Sequence, residues 1–160
     1  MRIAFTLNGK PMTLEADPKR SLLSLLREEL GLTGTKCGCD TGDCGVCAVL
    51  FDGRLVYSCR VNAAGLAGHQ VVTIEGVHGP DGGLSDVQEA FLQHGAVQCG
   101  YCIPAMVLAG EALLSHNPAP SQADIVEAIT PVLCRCTGYQ QIVDAIKDAA
   151  HHRQIVSHAD

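Results

Sequence analysis

The opening residues alternate apolar and polar positions with a period of two. Ile3 to Leu7 is followed by Asn8-Gly9 and then by Met12 to Glu15, which predicts two antiparallel strands joined by a tight turn. From Ser21 to Leu30 the period lengthens: Leu22, Leu23, Leu25, Leu26 and Leu30 carry an apolar face, Arg27, Glu28 and Glu29 gather late, and Gly31 supplies a stop, the signature of a helix laid on a sheet. Val46 to Phe51, Asp52-Gly53 and Leu55 to Ser58 predict a second hairpin, and Val71 to Ile74 a fifth short strand. A small mixed sheet crossed by one helix is the expectation for residues 1–76.

The pattern changes across "EGVHGPDGG", Glu75 to Gly83, where glycine and proline crowd together. Residues 77–83 read as a linker, and beyond it the period is helical. Ser85 with Gln88 makes a capping box for a helix ending near Gly95, and Pro104 opens a second through Ser115. Ser121 with Asp124 caps a third, and Gln140 to Ala150 is the fourth. The predicted domains are thus 1–76 and a four-helix unit over 84–152, with 153–160 a polar tail that frays. A helical unit of this size buries too little apolar surface to stand without a staple, and four cysteines within it are candidates.

Composition narrows the choice. The 160 residues are 47% hydrophobic but include only three Phe, three Tyr and no Trp, so the core must be aliphatic. A formal net charge of −6 and the lack of any Lys/Arg run argue against a nucleic-acid partner. The N-terminal residues lack the apolar segment of a signal peptide, and the longest apolar stretch, Ile103 to Ala109, is too short to span a bilayer, so a cytoplasmic location is expected. In that reducing setting nine cysteines, an odd number, speak for metal or cluster ligation over a disulfide framework.

Cys39, Cys44 and Cys47 are spaced C-x4-C-x2-C, with Cys59 following on the far arm of the second hairpin, the spacing of a plant-type [2Fe–2S] site. Gly38, Gly42 and Gly45 let the backbone wrap closely and aim its N–H groups at sulfur. Cys37 stands at the wrong interval and reads as a free thiol. In the second half, Cys99 and Cys102 precede the Pro104 helix and Cys134 and Cys136 precede the Gln140 helix, where two helix N-termini favour an anionic assembly. The C-x-C pair is close for zinc, yet structural zinc and unligated buried thiols stay open as readings of both quartets. His151, His152 and His158 read as solvated residues and His94 as a cation capping a helix end. There is no G-x-G-x-x-G, no Walker lysine, no H-E-x-x-H and no nucleophile elbow. Metal centres without a place for organic chemistry suggest an electron relay that serves a catalyst on another chain.

The segments "GTKCGCDTGDCGVC" with Cys59, "QCGYCIPAM" and "LCRCTGY" resemble the iron–sulfur subunit of the molybdenum hydroxylases, the xanthine oxidase family, over Ile3 to about Ala150. The resemblance implies an α+β fold, with an N-terminal ferredoxin-like β-grasp domain followed by a four-helix bundle domain. It implies an outer [2Fe–2S] cluster on Cys39, Cys44, Cys47 and Cys59 and an inner one on Cys99, Cys102, Cys134 and Cys136. It further implies that Gln98 hydrogen-bonds a pterin and that Cys136 is the ligand nearest it. The implied partners are a large subunit, which binds a molybdenum–pterin cofactor and hydroxylates substrate with oxygen from water, and usually a medium FAD subunit, in a heterotrimer or a dimer of heterotrimers. Electrons would run from molybdenum through the inner and outer clusters to flavin, and substrate would be selected on the large subunit.

The chain departs from the family pattern at Ala105, which adds a methyl group near the presumed pterin, and at Pro131, which removes a backbone donor and restricts Thr130. Val46 and Ala48 stand where Ala and Thr are common, with small effects expected. Two rival readings are a free-standing ferredoxin-like carrier and a zinc-stapled interaction module.

Overall fold

In a computed structural model, which describes residues 1–157, five strands form one mixed sheet. β1 (Arg2–Leu7) and β2 (Lys10–Glu15) pair antiparallel, with Ile3 opposite Leu14 and Leu7 opposite Lys10. Asn8 (φ 49°) and Gly9 (φ 76°) turn the corner in the left-handed conformation that matches strand twist. β3 (Ala48–Phe51) and β4 (Arg54–Tyr57) repeat the device through Asp52 and Gly53. β5 (Gln70–Val72) runs between the hairpins, parallel to β1 and antiparallel to β3, giving the order β2-β1-β5-β3-β4. It stops two residues before the expected Ile74, because Thr73 is drawn away: its N–H donates to Asn8 Oδ1 and its hydroxyl to Glu75 Oε2.

The crossing helix also differs from expectation. α1 is a single α-turn, Leu22–Ser24, capped by Ser21 Oγ, and it widens into a π-turn over Leu25–Glu29. The Leu30 N–H reaches back to the Leu25 carbonyl at 3.0 Å. This keeps Leu22, Leu25 and Leu26 all fully buried against Ile3, Phe5, Leu7 and Val71.

Four helices follow: α2 (Asp86–Gln93), α3 (Ile103–His116), α4 (Gln122–Ile129) and α5 (Gln140–Ser157). Both predicted capping boxes are present, Ser85 with Gln88 and Ser121 with Asp124. Phe91, Met106, Ile125, Ile129, Ile142 and Ile146 are at most 2% exposed and form the helical core. That core also takes in Val46 and Ala48 from the first half. β3 is therefore shared: Val49 faces the sheet-and-helix core while Ala48 faces the helices. The helical half does not rely on its own residues alone, which answers its small size. Among the described residues no helix is long and apolar enough to cross a membrane.

The tail expected to fray is helical as far as the described residues go: α5 continues through Ser157. Arg153, expected in the tail, binds Asp86 through Nε and Nη2 and Glu111 through Nη2, at 2.5–2.6 Å, tying α5 to α2 and α3. A cation with two carboxylate partners in a half-buried position is more anchored than any composition rule for a tail suggests. His151 and His152 are exposed, while His158 lies outside the described residues. His94 caps α2, and its Nε2 lies 3.2 Å from Asp148 Oδ2.

Candidate metal centres

The first cysteine loop is anchored at its base by Arg27, whose Nη1 donates to the carbonyls of Thr33 (3.0 Å) and Thr35 (2.8 Å). The chain then curls through Asp40, Gly42 and Gly45, all at positive φ. Its N–H groups turn inward as a result. Cys39 Sγ accepts from the amides of Thr41, Asp43 and Cys44 at 3.3–3.4 Å, and the Cys39 N–H donates to Cys44 Sγ at 3.4 Å. The Thr41 hydroxyl and these three amides draw the Cys39 thiol down to about 5. Gly38 is required sterically, since a Cβ there would lie 2.7 Å from Cys44 Sγ.

Cys59 comes to the same place from the 3-10 turn Ser58–Arg60 that ends β4. Ser58 fixes that turn by donating its N–H (3.2 Å) and its hydroxyl (2.7 Å) to the Cys47 carbonyl. Burial, together with the neighbouring Cys47 thiol, pushes Cys59 up to about 12. Cys37 is exposed and, among the described residues, its thiol takes no part in these contacts; its carbonyl accepts from the Tyr101 hydroxyl.

The second quartet comes from two loops more distant in sequence. Cys102 is the N-cap of α3, and Cys99 lies one turn before it. Cys134 is held by the residues that follow it: its Sγ lies 2.9 Å from Thr137 Oγ1 and accepts from the Thr137 N–H at 3.4 Å, and its own N–H donates to Tyr139 Oη at 2.8 Å. Thr137, Gly138 and Tyr139, the last three residues of the LCRCTGY segment, therefore build the inner loop, with Gly138 and Tyr139 both at positive φ. Burial pushes Cys134 up, but the Thr137 hydroxyl and amide, the Cys136 amide and Cys102 outweigh it and bring the thiol to about 7. Cys102 goes the other way, to about 12, through burial and the adjacent Cys134.

This quartet divides into a buried pair, Cys102 and Cys134, and an exposed pair, Cys99 and Cys136, whose sulfurs are 3.6 Å apart. The first quartet pairs Cys39 with Cys44 and Cys47 with Cys59 without that division, Cys47 being buried and the other three half-buried. Among the described residues no three His, Cys, Asp or Glu side chains gather round a single point as the ligands of one metal ion would. Four thiols facing one another in two pairs, some resisting ionisation because a neighbour is already anionic, fit a bound cationic dimetal unit that keeps every sulfur deprotonated.

The two loops touch. The Leu133 N–H donates to the Cys44 carbonyl at 2.8 Å, Tyr57 Oη to the Pro131 carbonyl at 3.0 Å and Tyr101 Oη to the Cys37 carbonyl at 2.5 Å. Gly45, expected to serve cluster wrapping, has a further reason: at φ 72° its missing Cβ would sit 2.0 Å from the Pro131 carbonyl oxygen. Sequence reasoning singled out none of Ser58, Tyr57, Tyr101 or Leu133, whose roles are set by contacts across long sequence separations.

The two departures take different places in the fold. Ala105 is 1% exposed and its methyl group packs in the helical core. Thr130 stays helical (φ −51°, ψ −37°) despite preceding Pro131, supported by its N–H and hydroxyl bonds to the Val126 carbonyl. Gln98 is exposed beside Cys99.

Two family models match the chain. A 2Fe-2S iron-sulfur cluster binding domain matches residues 5–71, and a [2Fe-2S] binding domain matches residues 73–147. The nicotinate dehydrogenase small FeS subunit of Eubacterium barkeri is 45% identical over 147 residues, covering 92% of this chain and 93% of that protein. The chain belongs to the iron–sulfur small subunits of the molybdenum hydroxylase family. A solved structure of quinoline 2-oxidoreductase from Pseudomonas putida 86 superposes on this small subunit with a TM-score of 0.90 at 41% identity, over 97% of this chain and 96% of that one. The aldehyde oxidoreductase of Megalodesulfovibrio gigas is 42% identical over 148 residues, which span 91% of the subunit but 16% of that protein. The subunit is an electron-transfer component of an oxidoreductase, and its two domains are of the [2Fe–2S]-binding kind.

Proposed function

We propose that the subunit holds an outer [2Fe–2S] cluster on Cys39, Cys44, Cys47 and Cys59 and an inner one on Cys99, Cys102, Cys134 and Cys136. Bound clusters supply one-electron redox chemistry, so a two-electron oxidation elsewhere is drained in single steps. The chain's own residues do the rest. Amides around Cys39 and the Thr137 hydroxyl at Cys134 donate hydrogen bonds to sulfur, which favours the reduced, more negative state of each centre.

The observation that carries the reading is the asymmetry of the second quartet: Cys102 and Cys134 are buried, whereas Cys99 and Cys136 reach the surface beside exposed Gln98 and Val97. An exposed ligand pair next to an amide side chain suits contact with a cofactor held by another chain. We take that cofactor to be a molybdenum–pterin on a large partner subunit, with Gln98 as its hydrogen-bonding contact and Cys136 as the nearest ligand. That this module spans only 16% of a relative's chain supports a much larger catalytic partner. A medium FAD subunit completes the proposal, in a heterotrimer or a dimer of heterotrimers, with residues 84–152 as a four-helix bundle domain. The cytoplasm is the compartment that suits nine thiols.

The test is Cys136→Ala in the assembled complex. The outer cluster's EPR signal is expected to survive while substrate-driven reduction of it is lost. Substrate-driven reduction at the wild-type rate would contradict the assignment.

A further inference from the structure

We propose that Arg60 raises the reduction potential of the outer centre, its guanidinium being a fixed positive charge that favours the reduced state; this rests on the ligand reading given above. Its place follows from Cys59, to which it is bonded, and from the glycine that it covers.

Arg60 is the last residue of the 3-10 turn Ser58–Arg60, one peptide beyond Cys59, and it is exposed. Its stem crosses the first cysteine loop at Gly42. A Cβ on that glycine would lie 2.8 Å from Arg60 Cδ, 3.0 Å from Cγ and 3.4 Å from Nε. Gly42 is therefore needed twice, for its φ of 88° and for the room that the arginine stem takes. Burial and the Cys47 thiol push the Cys59 thiol up, and the Gly42 amide, which donates to it, pulls the other way. The side chain of Arg60 thus lies over a peptide that itself contacts a sulfur of the first quartet. The turn beneath it is held as well, by the Ser58 N–H and hydroxyl on the Cys47 carbonyl.

The charge is not cancelled. Asp40 and Asp43 stand in the same loop, but the Asp43 carboxylate accepts from the Thr41 hydroxyl, and among the described residues no carboxylate pairs with Arg60. Reduction adds one electron, and with it one negative charge, to a centre already ringed by thiolates. A fixed cation nearby lowers the energy of the reduced form more than that of the oxidised form. The electron leaves the inner centre, which is oxidised as the outer one is reduced; no bond forms or breaks and no proton moves. Arginine keeps its charge at any working pH, so the bias is constant, and its exposure makes it sensitive to salt.

The test uses the full chain with both clusters assembled and their EPR signals counted first. Each centre's midpoint is then read in an anaerobic titration against redox dyes. Arg60→Met keeps an apolar stem over Gly42 and deletes the charge. At the wild-type outer midpoint the ratio of reduced to oxidised outer centre is expected to fall several-fold, with the inner midpoint unmoved. Arg60→Gln, a second neutral variant, is expected to match it, and Arg60→Lys, which keeps the charge, to hold the wild-type ratio. The gap between wild type and the neutral variants is expected to narrow as salt is raised. With both signals intact, an unmoved outer midpoint in either neutral variant would overturn the tuning role. An equal fall in Arg60→Lys, or a gap indifferent to salt, would also overturn it, because either marks packing over Gly42 and not charge. A wild-type chain lacking two signals would overturn the ligand reading, and the role of Arg60 with it.

Discussion

The two cysteine quartets reach similar chemistry by different construction. The first is mostly one loop: three of its members fall within nine residues, and backbone amides curl around Cys39 because Asp40, Gly42 and Gly45 take positive φ. The second is assembled from two loops at helix starts, and side chains share the work with the backbone: the Thr137 hydroxyl and amide both meet the Cys134 sulfur, and Tyr139 Oη meets its amide. The first is tuned from within that one loop, by the Thr41 hydroxyl and three of its amides. The second splits into a buried and an exposed pair, a division that a single loop closing on itself does not offer. The exposed pair gives the second quartet an open side toward a partner, whereas the first has no fully exposed ligand: Cys47 is buried and Cys39, Cys44 and Cys59 are half-buried.

The seam between the quartets is where the comparison is most easily broken. Gly45→Ala places a methyl group 2.0 Å from the Pro131 carbonyl in a left-handed backbone, a combined cost of about 4 kcal/mol. The expected result is a large drop in denaturation midpoint with loosened contact between the loops, measured by chemical unfolding and by hydrogen exchange at the Leu133 amide. Unchanged stability would mean that the two halves adjust independently.

Arg153→Met tests whether the helical half carries its own stability. It removes the partner of Asp86 and Glu111, leaving two half-buried carboxylates unpaired at about 2 kcal/mol. At Asp86 burial alone pushes the carboxyl up, but the Arg153 hydrogen bond and charge and the Val87 amide together hold it below its ordinary 3.8. A depressed carboxylate contributes stability that is present above its unfolded value and is lost as pH falls through the folded one. Thermal melts of the wild type should therefore lose stability below about pH 4, and Arg153→Met should show less of that acid limb.

Cys37→Ser is the smallest change. The thiol is exposed and outside every sulfur contact, so both clusters should remain and stability should shift by less than about 0.5 kcal/mol. Loss of one cluster's absorbance would show that Cys37 belongs to the first quartet.

How far the sequence was legible follows the same divide. The hairpin turns at Asn8-Gly9 and Asp52-Gly53 and the caps at Ser85 and Ser121 were readable because their signals are local. Both quartets could be listed by residue from spacing and resemblance. What stayed hidden depends on contacts between distant residues: the π-turn that keeps three leucines buried, the sharing of β3 between two cores, and the anchoring of α5 by Arg153. The buried and exposed sides of the second quartet were equally unreadable, since its two C-x-x-C and C-x-C pairs do not mark which member faces in.

The central claim is that one chain carries two separate [2Fe–2S] centres. Its most direct test is the EPR spectrum of the anaerobically purified, dithionite-reduced protein with spins counted per chain. The account predicts two distinguishable spin-half signals totalling about two spins per chain. A single signal near one spin, or a colourless sample without any signal, would contradict it.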